Sequence, residues 1–150
     1  MYKNSEGYAS PTEGAVVANL MKEYRQKRKA ERERTEAIKG RKTVYVVSPY
    51  AGDIAKNVQK AKAYCRFVIG QNGIPIASHL LYPVFLRDSN PKERELGRLF
   101  GLALLALCRE VWVFGTDFSA GMRAEIHEAK IQGKPIRYFD ERMEPIHEND

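Results

Sequence analysis

Four short apolar runs, at 43–47, 74–78, 111–114 and 135–139, alternate with helix-like stretches, and this alternation leaves few folds open to the chain. Runs such as Thr43-Val44-Tyr45-Val46-Val47 and Val111-Trp112-Val113-Phe114 are apolar throughout, where a half-exposed strand would alternate apolar with polar. Strands buried on both faces, with helices between them, predict an α/β domain: a small parallel sheet covered by helices on both faces, Rossmann-like or flavodoxin-like. The expected strand order is 2-1-3-4. Such a sheet reverses direction between strands one and three, and ligands bind there, outside the carboxyl ends of the strands. The loops that reach this point are 48–53, Ser48-Pro49-Tyr50-Ala51-Gly52-Asp53, and 115–121, which carries Asp117 and Ser119.

Helix boundaries are marked locally. After Asp53, the residues Ile54, Val58, Ala61, Cys65 and Val68 recur at helical spacing until Gly70 and Gly73. A longer loop, 79–90, carries His79, Tyr82 and Asp88. Asn90-Pro91-Lys92-Glu93 then supplies an N-cap, a proline at the first helical position and a glutamate at the third, predicting a helix to about Cys108. From Leu99 to Leu107 that helix is apolar nearly all round, more than one small sheet can cover. A homo-oligomer formed through residues 91–108 is therefore expected, with a folded-back leader as the competing cover. The last helix, about 120–132, is stopped by Gly133.

Ahead of the domain lies a leader, 1–42, whose Ser10-Pro11-Thr12-Glu13 reads as a helix start. Val16, Leu20 and Tyr24 give its first turns an apolar face; from Arg25 onward the pattern dissolves into Lys, Arg and Glu, read as solvated helix or linker, until Gly40. The formal charge of +6 is concentrated here: residues 1–42 hold 11 Lys and Arg against 6 acidic residues, residues 43–150 hold 14 against 13. Glu31, Glu33 and Glu36 interrupt the basic run and no aromatic follows Tyr24, so nucleic-acid binding through the leader is the weaker reading. The organisation expected is thus a basic helical leader 1–42, a domain 43–140 and a polar tail 141–150. No stretch has the length of a membrane span, and Met1 to Glu6 lacks the apolar run of a secretion signal, so a cytoplasmic protein without a membrane partner is expected. Cys65 and Cys108 are isolated, without a CxxC or histidine at ligand spacing, which predicts reduced core thiols, no metal site and no cofactor.

The chemistry concentrates in the last helix. Ser119 is placed to cap it, and the free N–H groups of the first turn, at Gly121 and Met122, form an anion site that suits a phosphate. At about 100° per residue, Met122, Ile126 and Ala129 share one face and Glu125 falls at its margin. Gly121, one turn earlier, leaves the space over that carboxylate open. A carboxylate half out of water beside an anion site is a candidate catalytic group.

The segment Ser119-Ala120-Gly121-Met122-Arg123-Ala124-Glu125-Ile126-His127-Glu128-Ala129, followed by Gly133-Lys134-Pro135-Ile136, resembles the nucleophile helix of the nucleoside 2-deoxyribosyltransferase group. That group includes the N-glycosidase of 2′-deoxynucleoside 5′-monophosphates, in which a serine six residues before the catalytic glutamate binds the phosphate. Ser119 and Glu125 match that spacing. The likeness runs in outline over 43–140, with Ser48, Tyr50 and Asn57 falling where the group's first loop and helix approach sugar and base. The leader resembles those of phage and mobile-element proteins. What the resemblance implies is a retaining mechanism on a nucleotide or nucleoside, in which Glu125 attacks C1′ of a deoxyribose, the base leaves, and water or a second base resolves the glycosyl-enzyme. The group's aspartate on the helix before strand three is absent, since Phe100-Gly101-Leu102-Ala103 stands there. His79 or Asp88 could substitute for it; the alternative is a domain that senses a nucleotide without cleaving it.

Each candidate also has a plainer reading. From position alone Glu125 is an exposed helix glutamate, Ser119 a cap, Tyr50 a packing residue, Asp117 a loop brace and His79 a satisfied structural histidine.

Overall fold

The computed structural model describes Gly7 and residues 11–147, so the Ser10 cap, Met1 to Glu6 and the last three tail residues lie outside the described residues. The chain divides into two compact units, one up to Gly40 and one from Arg41. The first contains helix α1, Pro11–Lys39, which runs unbroken through the charged stretch. It carries short-range supports, the Arg28 guanidinium 5.9 Å from the centre of the Tyr24 ring and, in the last turn, Lys39 Nζ to Glu36 Oε1 at 3.0 Å.

The second unit follows the expected alternation: β1 Lys42–Val47, α2 Ile54–Gly70, β2 Gly73–Ile76, α3 Pro91–Leu107, β3 Glu110–Phe114, α4 Ala120–Ile131 and β4 Ile136–Phe139. The four strands are parallel in the order 2-1-3-4, with Tyr45 beside Ile76, Val46 beside Trp112 and Phe114 beside Phe139. A fifth strand, β5 at Pro145–Ile146, adds antiparallel to β4 from within the segment read as a polar tail. It is a turn product. Asp140 Oδ1 accepts from the N–H groups of Arg142 at 2.8 Å and Glu144 at 3.0 Å, and folds the chain back beside Phe139.

Helices cover both faces, and the period-2 alternation of each strand divides the core accordingly. On one side Val44, Val46, Trp112, Phe114 and Phe139 pack with Tyr64 and Val68 of α2. On the other Tyr45, Val47, Val111 and Val113 pack with Leu105 of α3 and Met122, Ile126 and Ala129 of α4. Caps fix the helix ends: Asp53 accepts from Lys56 N–H at 3.3 Å, Asn90 from Lys92 N–H at 3.0 Å, and Ser119 from Met122 N–H at 3.2 Å. Gly133, with φ of 65°, takes the left-handed conformation that ends α4. Cys65 and Cys108 are unpaired, and burial pushes both thiols up to about 11. Among the described residues no helix is long and apolar enough to cross a membrane.

Candidate functional site

The carboxyl ends of β1 and β2, the first half of α3 and the first turns of α4 enclose a cleft of about 570 Å³. Tyr50, Ala51 and Gly52 form one wall from the loop after β1; Ser78, His79, Tyr82, Pro83, Leu86 and Asp88 form the next from the segment after β2. Gly97, Gly101 and Leu102 of α3 face Gly121, Ala124 and Glu125 of α4. Sequence reasoning placed the site between 48–53 and 115–121. The first loop is there, but from the second only Gly121 lines the cleft, and its place is taken by the segment after β2, from which the sequence reading had named His79 and Asp88.

Glu125 is where the helical angle put it. Met122, Ile126 and Ala129 are 2 %, 7 % and 0 % exposed, and the Glu125 side chain at their margin is 13 % exposed. Burial pushes its carboxyl from 4.5 up to about 8, and a hydrogen bond with the Tyr45 hydroxyl pulls the other way. Tyr45 reaches it from β1, its ring fully buried and its hydroxyl 2.9 Å from Ser78 Oγ. Burial first, then the nearby Glu125 charge, push the Tyr45 phenol upward, so it stays protonated.

His79 Nε2 stands 4.0 Å from Glu125 Oε1. At that distance, beyond a hydrogen bond, the pair would have the geometry of an ion pair. Burial favours the neutral form of each, lowering the histidine while it raises the glutamate, and the opposing pull of Asp88 on His79 is the smaller one. His79 stacks on Tyr50 with ring centres 4.8 Å apart and planes within 9°, and the Tyr50 hydroxyl donates to Asp88 Oδ2 at 2.9 Å. Tyr50 is thus held between two members of the segment after β2.

Of the sequence candidates, Tyr50, His79, Asp88, Gly121 and Glu125 come together at the cleft; Ser48, Asn57, Asp117, Ser119 and Met122 do not line it. Ser48 is buried at the end of β1, and Met122 is a core side chain. Asn57 braces the first loop, its amide donating to the carbonyls of Tyr50 and Ala51 at 3.0 and 3.1 Å. Asp117 is exposed in its loop, and Ser119 serves as the α4 cap. Sequence reasoning missed Tyr45 and Ser78. A tyrosine inside a buried strand is itself a signal, since its hydroxyl must find a partner. No cluster of three or more metal-binding side chains occurs among the described residues.

This geometry belongs to a class, the flavodoxin-like α/β domains, and within it to the fold of the deoxyribosyltransferases. The 2-deoxyribosyltransferase of Bacillus psychrosaccharolyticus, described as a biocatalyst for nucleoside synthesis, superposes with a TM-score of 0.56 at 13 % identity, over 65 % of this chain and 72 % of its own. The 2-deoxyribosyltransferase of Leishmania mexicana superposes with a TM-score of 0.52 at 14 % identity, over 66 % of this chain and 64 % of its own length. At these identities the likeness is one of fold. The chain belongs to the family described as a domain of unknown function, DUF7768, whose profile matches residues 42–139. No curated protein matches it.

Proposed function

We propose that this domain binds a nucleotide or nucleoside in the cleft over Glu125 and cleaves or transfers its N-glycosidic bond, with Glu125 as nucleophile. The observation that carries the reading is the Glu125 carboxyl: only 13 % exposed, and lining a cleft at the carboxyl edge of a deoxyribosyltransferase-like sheet. The stacked Tyr50–His79 pair and the apolar walls suit a planar base. In the first half-reaction a Glu125 oxygen bonds to C1′ as the C1′–N bond breaks, and the base departs with the electron pair and a proton. In the second, water or another base attacks C1′ and releases Glu125. The unit that performs this is 43–140, and a second copy would cover the exposed face of α3.

Incubating the protein with deoxynucleosides and their 5′-monophosphates, and separating products by chromatography, tests the reading. Wild type should release free base, whereas Glu125→Gln should bind the same ligands calorimetrically and release none. Equal binding with no cleavage by wild type would favour a nucleotide-sensing domain, the reading that Gly101 in place of an acid supports.

A further inference from the structure

We infer that α1 lies along duplex DNA and holds its phosphates through one basic stripe. The inference goes beyond the glycosyl-transfer reading and does not rest on it. In sequence order Glu31, Glu33 and Glu36 break up the Lys and Arg residues that follow Tyr24. But α1 is unbroken from Pro11 to Lys39, so helical angle, not order, decides which charges are neighbours. At about 100° per residue, Lys22, Arg25, Arg28, Lys29, Arg32 and Lys39 fall within a wedge of about 120°, and Glu36 is the one acid among them. Glu31 and Glu33 fall outside it. Within residues 22–39, the rest of the circumference holds Lys27 and Arg34 against Glu23, Glu31 and Glu33. The helix therefore sorts a mixed sequence into a cationic stripe about 26 Å long and a remainder with a slight negative excess.

The stripe is free to meet a partner. All of its cations are exposed. Glu36 is held by Lys39 at 3.0 Å, whereas Lys22, Arg25, Lys29 and Arg32 have no carboxylate within 4.0 Å among the described residues. Like charges three and four residues apart repel, so the row is a cost to the helix alone, and an anion laid along it relieves that cost.

The form of the stripe selects the anion. A helix on a membrane surface needs an apolar face along its length. Val16, Leu20 and Tyr24 supply one only in the first half, and after Tyr24 the apolar residues are Ala30, Ala37 and Ile38. Single strands are held by stacking bases on aromatic side chains, and the stripe has none. A duplex instead presents rigid rows of charge, one per about 1.7 Å of axis. The major groove of B-form DNA, about 12 Å wide, admits an α-helix, which the deep, narrow groove of duplex RNA does not.

Fluorescence anisotropy of the full chain with a short labelled DNA duplex tests the assignment. With Lys39 paired to Glu36, five cations remain for phosphates. The logarithm of the binding constant should then fall against that of salt with a slope of about −4.5, a weakening of about 500-fold between about 50 and 200 mM. Two double variants remove the same residue types from opposite sides of α1: Lys29→Gln/Arg32→Gln from the stripe, and Lys27→Gln/Arg34→Gln from the remainder. Glutamine is about as good a helix former as lysine or arginine, so α1 stays intact in both. The stripe variant should bring the slope to about −2.7 and weaken binding more than about tenfold at about 0.1 M salt, and the other should weaken it less than about threefold. Equal losses from the two pairs would overturn the stripe in favour of net charge alone. A wild type that does not bind the DNA duplex, or that binds phosphatidylserine vesicles or an RNA duplex of the same length as tightly, would overturn the assignment to DNA.

Discussion

Replacing Glu125 by glutamine should stabilise the protein in alkaline solution, by an amount that grows with pH in a defined window. In the folded chain burial raises the carboxyl from 4.5 to about 8, against the weaker influence of the Tyr45 hydrogen bond. Below pH 4.5 the group is protonated in both folded and unfolded chains and contributes no pH dependence. Between 4.5 and 8 the unfolded chain has released the proton and the folded chain retains it, so stability falls by about 1.4 kcal/mol per pH unit. Above 8 both forms are ionised and the loss is complete. Over that interval the loss would be about 5 kcal/mol, and the residual water contact of a side chain 13 % exposed reduces it to about 3–5 kcal/mol. Glutamine has the shape of the protonated carboxyl and does not titrate. Urea denaturation of both proteins from pH 5 to 9 reads the difference. With an m-value of about 2 kcal/mol/M, the midpoints should nearly coincide at pH 5 and separate by about 2 M at pH 9, the variant being the more stable. His79 titrates in both proteins and largely cancels. Parallel curves across this range would mean that Glu125 ionises like a surface carboxylate, and would remove the basis for treating it as a neutral acid.

Two further outcomes follow from the same geometry. Ser119→Ala removes the α4 cap and should cost about 1 kcal/mol of stability; if Ser119 also holds a phosphate, calorimetry should show a 5′-monophosphate losing about 1–3 kcal/mol more binding energy than the matching nucleoside, whereas equal losses would confine it to capping. On α3, Leu99 and Leu107 are 46 % and 75 % exposed, and sedimentation of Leu99→Glu/Leu107→Glu should give a monomer where wild type is an oligomer, a monomeric wild type at micromolar concentration refuting association through this helix.

How far the chain could be read before folding depended on where each signal resides. Continuous apolar runs and capped helices are local, so the order 2-1-3-4 and the helix starts at Asp53, Asn90 and Ser119 were legible. Strand β5 was not, because Pro145–Ile146 has no apolar run of its own and exists only as a partner for Tyr138 and Phe139 across the Asp140 turn. The helical angle sufficed to put Glu125 at the edge of the core, since it depends on residues a few positions away. From the segment after β2 the reading had His79 and Asp88, but that this whole segment, not the loop at 115–119, walls the cleft depends on how β2 and α3 approach one another, which no short-range pattern records. Tyr45 was concealed for the opposite reason: its ring fits the strand pattern so well that the demand of its hydroxyl is easily passed over.

Those misses share a consequence for the chemistry. The groups beside Glu125 are the Tyr45 hydroxyl, with Ser78 behind it, and His79, whose burial favours the neutral imidazole. Of the two arginines on the wall of the cleft, Arg98 is committed to Glu95 through contacts of 2.9 and 2.6 Å, and neither it nor Arg94 is among the groups that shift the Glu125 carboxyl. The free site therefore disfavours the Glu125 carboxylate for want of a positive partner. On the glycosyl-transfer reading, a deoxyribose losing its base supplies that partner, because positive charge develops at C1′ as the C1′–N bond lengthens. The carboxylate is then costly in the free protein and compensated in the transition state, and an interaction strengthened only in the transition state accelerates the reaction. A cationic mimic of the oxocarbenium sugar should accordingly bind more tightly than a neutral sugar of the same shape, with release of the Glu125 proton on binding. Calorimetry in buffers of different ionisation enthalpy would detect that proton, and neutral and cationic sugars bound equally, without proton release, would show that Glu125 does not face C1′.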